Sequence, residues 1–296
     1  MTASSASSSG FSGYFSGIAD EAGRDIETQI RAHQEIGWTH IEMRCVDGTN
    51  LTDLADADFE RVQGLLREAG LRINCYASQL ANWARPISGD IEIDLAELRR
   101  AIPRMQTTGT EFIRCMSYPN ANPAWEESEW RGEVLKRLKT LAAMAADAGI
   151  TLVHENCDGW GGLGPRQSLE LLEAVGSEHL KLVHDTGNPI ERGQDPFDYY
   201  EKTREQIAHV HIKDYVITDG KLQATFPGEG TGEVGRILED LLDRGYSAGI
   251  SIEPHITSVI HLQKDIDDPE LAYSSYVEYG RRLENLVGKI LGRSSD

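Results

Sequence analysis

Five glycines punctuate this chain at the same structural point. Gly37, Gly70, Gly109, Gly149 and Gly245 each stand between a segment of helical apolar spacing and a short apolar run. Glycine suits the left-handed residue that closes a helix, so each marks a helix giving way to a strand. The apolar runs are Tyr14–Ala19, Trp38–Arg44, Leu71–Ala77, Glu111–Met116, Thr151–Asn156, Leu180–Asp185, Ile207–Lys213 and Gly249–Glu253. Between them lie helical faces such as Phe59, Val62, Leu66 and Ala69, or Val134, Leu135, Leu138, Leu141, Ala142 and Ala145. Asp25 is placed to cap the first helix, and Asp195-Pro196 opens the sixth. Pro103 should kink or shorten a helix over Asp94–Gln106, and the last helix is expected over Pro269–Leu291. Strands and helices alternating eight times in 296 residues predict an α/β fold, a single (β/α)8 TIM barrel with a parallel sheet. No composition shift divides residues 14–296, which read as one barrel domain. Ser-rich residues 1–13 read as a disordered N-terminal tail; they lack the basic head and apolar middle of a secretory signal.

Charge narrows the partners. A net charge of −19 repels a phosphate backbone and an anionic membrane surface, so neither nucleic acid nor membrane is an expected partner. No apolar run approaches the roughly 20 residues that cross a bilayer. Cys45, Cys75, Cys115 and Cys157 form no C-x-x-C pair, and they read as small buried thiols in a reducing, cytoplasmic setting.

The apolar runs end in chemistry. Glu155, Asp185, His211 and Glu253 close the fifth, sixth, seventh and eighth strands. In a barrel of this kind the catalytic face is the carboxyl end of the strands. Three unpaired carboxylates in close array would repel one another, and a cation removes that repulsion. The mixed oxygen and nitrogen set suits Mn²⁺, Mg²⁺ or Co²⁺, and zinc also accepts such ligands. Arg44, His154, Lys213 and His255 are further polar candidates at this rim, as are Glu42, Arg114, His184 and His209. Packing or ligand-orienting roles suit them. His209 shares the face of His211 and should lie deeper in the barrel. Lys213 is alternatively a surface ion pair with Asp214. Gly159–Gly164 lacks the Lys-Ser/Thr of a phosphate-binding loop.

His154-Glu155-Asn156, Asp185-Thr186-Gly187-Asn188, His209-Val210-His211-Ile212-Lys213-Asp214, Pro227-Gly228-Glu229-Gly230 and Ser251-Ile252-Glu253-Pro254-His255 carry a resemblance. Together they resemble the xylose-isomerase-like TIM-barrel superfamily of sugar (phosphate) isomerases and epimerases. Its members include D-tagatose and D-psicose 3-epimerases, hydroxypyruvate isomerase and inosose dehydratase. The resemblance runs over nearly the whole chain from Tyr14. It implies a metal-dependent isomerase or epimerase of a sugar or keto-polyol, working through a metal-stabilised enediolate. Glu155 and Glu253 would then be ligands and also the acid/base pair on opposite faces of the substrate. A lyase is the alternative, dehydrating an inosose or β-eliminating a 3-oxo-glycoside. Substrate contacts are expected of Asn188, Trp83, Trp160, His154, Arg44, Lys213 and His255, the two tryptophans offering aromatic walls to a sugar ring. One departure is Asn188, which stands where the resembling epimerases commonly carry a histidine. Endonuclease IV belongs to the same superfamily, but the ends of the second and third strands here offer Glu42 and Cys75–Ser78 rather than its histidines. The particular sugar, the native metal and a homo-oligomeric state stay open.

Overall fold

The helix-closing glycines behave as their positions predict. In the computed structural model Gly37, Gly70, Gly109, Gly149 and Gly245 all have positive φ. The structure describes residues 10–120, 125–256, 258–259, 264–265 and 268–293. Within these, the barrel strands are β1 (Tyr14–Gly17), β2 (His40–Met43), β3 (Arg72–Leu80), β4 (Phe112–Ser117), β5 (Thr151–Gly159), β6 (Leu180–Asp185), β7 (Ile207–Ile212) and β8 (Gly249–Ile252). The main helices are α1 (Ile26–Ile36), α2 (Asp56–Glu68), α3 (Glu92–Thr108), α4 (Glu127–Asp147), α5 (Pro165–Val175), α6 (Pro196–Thr203), α7 (Val234–Asp243) and α8 (Pro269–Arg293). Asp25 caps α1 by accepting the Thr28 N–H at 2.8 Å.

All eight strands run parallel in one sheet, in the order β1-β8-β7-β6-β5-β4-β3-β2. A single bridge between Ile18 and Glu42 joins the two ends, so the sheet is a nearly closed TIM barrel. Alternation sorts the side chains. Ile41, Leu152, Val210, Ile212, Ile250 and Ile252 belong to the apolar clusters beneath the helices. Cys75, Val153 and Val183 form a separate small cluster.

Some expectations are corrected. α3 runs through Pro103 without stopping, because the full burial of Leu98, Ala101 and Met105 outweighs one missing N–H. The stretch after β7, for which no element is expected, contains an antiparallel hairpin pairing Asp214–Thr218 with Lys221–Thr225. Residues 1–9 of the expected tail lie outside the described residues, whereas Phe11 is placed 5.3 Å from the Phe15 ring. No helix among the described residues is long and apolar enough to cross a membrane.

Candidate metal centre

Strand register brings the four predicted donors together. Asp185 pairs with His211, and His211 pairs with Ser251, two residues before Glu253. Glu155 pairs with Val183, two residues before Asp185. One donor atom from each of Glu155, Asp185, His211 and Glu253 lies within 4.8 Å of the others, and all four residues are buried.

Each donor is pinned by its neighbours through one atom. Asn188 Nδ2 donates to Glu155 Oε1 at 3.1 Å. The backbone N–H groups of Gly187 and Asn188 donate to Asp185 Oδ1 at 2.8 and 2.7 Å. Arg44 Nη1 donates to Glu253 Oε1 at 3.1 Å, and His255 Nε2 stands 3.2 Å from that same oxygen. His211 Nε2 is 3.0 Å from Glu42 Oε1. Glu155 Oε2, Asp185 Oδ2, His211 Nδ1 and Glu253 Oε2 are buried without a well-aligned hydrogen bond among the described residues, and the three carboxylate oxygens are faced by the cations of Arg114 and Lys213 instead. Three buried carboxylates brought this close repel one another, and a shared cation would offset that repulsion. Three carboxylates and an imidazole fit a divalent cation.

The electrostatics agree. Burial pushes Asp185 up to about 6 even though the Lys213 ammonium pulls it down. Burial also opposes ionisation of Glu155, but the Arg114 guanidinium and the nearby His211 imidazole hold it near 2. Burial opposes ionisation of Glu253 too, but Lys213, His255 and Arg44 together hold it well below the carboxylate range. Cations already gather here. Arg114 Nη1 lies 3.1 Å from Glu155 Oε2, and Lys213 Nζ lies 3.3 Å from Asp185 Oδ2 and 3.1 Å from Glu253 Oε2.

A cleft opens over this cluster, lined by Arg44, Trp83, Arg114, Asn188, Lys213 and His255 together with Glu155 and Glu253. Trp83 keeps 37% of its surface exposed and forms part of the wall. Two of the expected substrate contacts are placed elsewhere. Trp160 lies in a short turn after β5, 1% exposed, with the Arg131 guanidinium over its ring, and is not in the lining. His154 is one residue out of phase with Glu155 and packs under Gly161, where an added Cβ would come 3.0 Å from its Nε2. Lys213 is not a surface ion pair with Asp214. It is buried on Asp185 and Glu253, while Asp214 accepts the N–H groups of Tyr215, Gly228, Gly230 and Gly232.

The sequence reading passed over Asp20 and Glu21. Arg44 bridges both of them to Glu253, at 3.0, 3.2 and 3.1 Å. Glu21 Oε2 also accepts the His255 N–H at 2.8 Å, holding a backbone whose φ is +51°. The available signal was the rule already applied to the later strands, a carboxylate just past the end of an apolar run.

Together these features define a (β/α)8 barrel with converging acids and an imidazole at its carboxyl-terminal rim. A profile of the family described as Xylose isomerase-like TIM barrel matches residues 30–279, and the chain belongs to that family. It is 26% identical over 176 residues to an inosose dehydratase of Clostridium tetani, covering 54% of this chain and 59% of that protein. The chain thus matches little more than half the length of this curated relative. Among solved structures, an L-ribulose 3-epimerase superposes with a TM-score of 0.72 at 18% identity, over 96% of this chain and 97% of the other. A Xylose isomerase-like TIM barrel protein from Mycobacterium smegmatis in complex with magnesium gives a TM-score of 0.69 at 18% identity, over 96% and 99% of the two chains.

Proposed function

We propose that this protein is a divalent-metal-dependent isomerase or epimerase of a sugar or keto-polyol, acting by proton removal beside a carbonyl. The observation that carries the reading is the convergence of Glu155, Asp185, His211 and Glu253, all buried, each with a donor atom within 4.8 Å of the others. A Mn²⁺, Mg²⁺ or Co²⁺ ion held by these four residues would supply Lewis-acid polarisation of the carbonyl. The remaining work falls to the chain. Glu155 and Glu253 come from different strands, and each has one oxygen fixed by neighbours. One carboxylate takes the proton from the carbon; the other, ionised at rest, takes a proton from a substrate hydroxyl and delivers it to the opposite face, and the first carboxylate's proton restores that hydroxyl. Arg44 and Lys213 keep Glu253 ionised, as a base must be at neutral pH. Lys213 Nζ stands ready to donate to the oxygen that gains charge as the C–H bond breaks. Burial of the acids keeps water from competing for the carbanion. Trp83 and Asn188 line the cleft and are suited to a sugar's apolar face and a hydroxyl.

Similarity to an inosose dehydratase favours a second reading, in which the same proton removal is followed by loss of water. Proton NMR in D₂O with Mg²⁺ and an EDTA control separates the two, using ketohexoses, inososes and 3-oxo-glucosides. Metal-dependent deuterium wash-in beside the carbonyl, with the skeleton intact, supports the isomerase or epimerase. Loss of a leaving group supports the lyase. Glu253→Gln should lower turnover by about 10²–10⁴-fold, and full turnover by this variant with metal bound would sink the acid/base assignment.

A further inference from the structure

Below the proposed ion site lies a second group of buried ionisable residues that the chemistry above does not use. Glu42, on β2, is fully buried at the barrel centre. Its Oε2 is 2.8 Å from His209 Nε2, and its Oε1 is 3.0 Å from His211 Nε2. Both histidines are also fully buried. The apolar cluster of Cys75, Val153 and Val183 is close by, and the Phe112 ring lies 6.5 Å from that of His209.

A carboxylate is a costly way to fill this space. Replacing a whole buried ion pair or triad by well-packed apolar side chains is often neutral or stabilising, so packing alone does not call for an acid between two imidazoles here. What the acid does is geometric. A carboxylate only accepts, so the bond to Glu42 places a proton on His211 Nε2. The bare lone pair of the neutral ring then lies on Nδ1, which is 3.8 Å from Glu155 Oε1 and 3.8 Å from Glu253 Oε2. His209 holds the other oxygen of Glu42, so the acid cannot rotate away from His211.

Resting on the metal-site reading, we infer that Glu42, locked by His209, is the positioning residue that turns His211 Nδ1 toward the ion. Outer partners of this kind change metal affinity by about 10–100-fold when removed.

The test is Mn²⁺ affinity by competition with a fluorescent chelator, together with ¹⁵N–¹H imidazole spectra of the Mg²⁺-loaded protein. Wild type should bind one ion per chain at this site and show a slowly exchanging low-field proton on His211 Nε2. Glu42→Leu should weaken Mn²⁺ binding about 10–100-fold and lose that proton signal. Should Glu42→Leu fail to fold by circular dichroism, the His209 pair decides. His209→Gln keeps an N–H for Glu42 and should bind Mn²⁺ within a few-fold of wild type. His209→Leu should weaken it by at least tenfold. Unchanged affinity in Glu42→Leu, or in His209→Leu where that pair decides, overturns the inference while leaving the ion site standing. So does a second ion lost with Glu42, which would make Glu42 itself a ligand. A wild type that binds no ion removes the metal reading first, and this inference with it.

Discussion

At Asn188 one amide joins two of the site's charges, donating to Glu155 Oε1 and accepting from Lys213 Nζ at 3.3 Å. Lys213 in turn spans Asp185 and Glu253. An ion held by the carboxylates would take over the charge balance that Lys213 now provides, leaving the Lys213 ammonium free for substrate oxygen. Lys213→Met should therefore lower kcat/KM by about 10²–10³-fold, the usual cost of one donor to a developing oxyanion. Mn²⁺ affinity should not fall, because a competing cation has been removed. Steady-state kinetics beside chelator competition checks both halves, and a large loss of affinity would make Lys213 a structural support instead. The four donors were readable from sequence because each ends an apolar run. Glu42 was harder to assign, whereas His209 is where the alternation put it, on the face of His211 and buried. Alternation in His40-Ile41-Glu42-Met43 marks a polar face, and a polar face normally means solvent. Here Glu42 faces the barrel interior, where His209 and His211 meet it, and only the closed sheet reveals that.

The first two turns of α3 brace the mouth of the cleft. Asp94 Oδ1 accepts from the Ala81 N–H at 2.8 Å and from Arg85 Nη1 at 2.7 Å, and its Oδ2 accepts the Tyr118 hydroxyl at 2.9 Å. Glu97 Oε1 accepts the Gln79 N–H at 3.1 Å and the Thr52 hydroxyl at 2.8 Å, and Arg85 pairs with it as well. The segment held this way carries Gln79, Asn82 and Trp83 of the cleft. Arg85→Met leaves two buried carboxylates short of a cation and should cost about 3 kcal/mol of stability, the low end for breaking a buried pair. Urea unfolding measures that loss. Substrate KM should rise more than kcat falls, since the wall loosens while the acids stay in place. Helix ends and strand order were legible because glycine and apolar spacing are local signals. The brace was not, since Asp94 and Glu97 read as an ordinary polar helix start until β3 and its loop are folded over them. The hairpin after β7 did carry a signal, the Asp219-Gly220 turn, whose residues have φ of +51° and +73°.

Closure of the whole barrel depends on its ends. β1 and β2 share only the Ile18–Glu42 bridge, so α1 and α8 carry much of the junction. The number and order of the units were readable from the chain, and so was the family, because both rest on repeated local pattern. The substrate was not, because it depends on rim side chains whose aim only folding sets, as the inward Trp83 and buried Trp160 show. The junction also gives the molecule an acid limit. His33 of α1 is fully buried, with Nδ1 2.8 Å from the His40 carbonyl and Nε2 2.9 Å from the Tyr276 hydroxyl of α8. The neutral ring satisfies both, donating from Nδ1 and accepting at Nε2. Burial lowers its pKa from 6.5 to about 4, the bond to the His40 carbonyl opposing only part of the shift. Above pH 6.5 neither the folded nor the unfolded state binds this proton, and the contribution is complete. As pH falls from 6.5 to about 4 the unfolded chain takes up a proton that the folded one refuses, and about 3 kcal/mol of stability is lost. His33→Gln can make both hydrogen bonds without titrating. Urea unfolding in EDTA from pH 7.5 to 4 should therefore give a shallower decline for the variant, by about 1.4 kcal/mol per pH unit within that window. Parallel curves would show that His33 is not what limits the α1–α8 junction in acid.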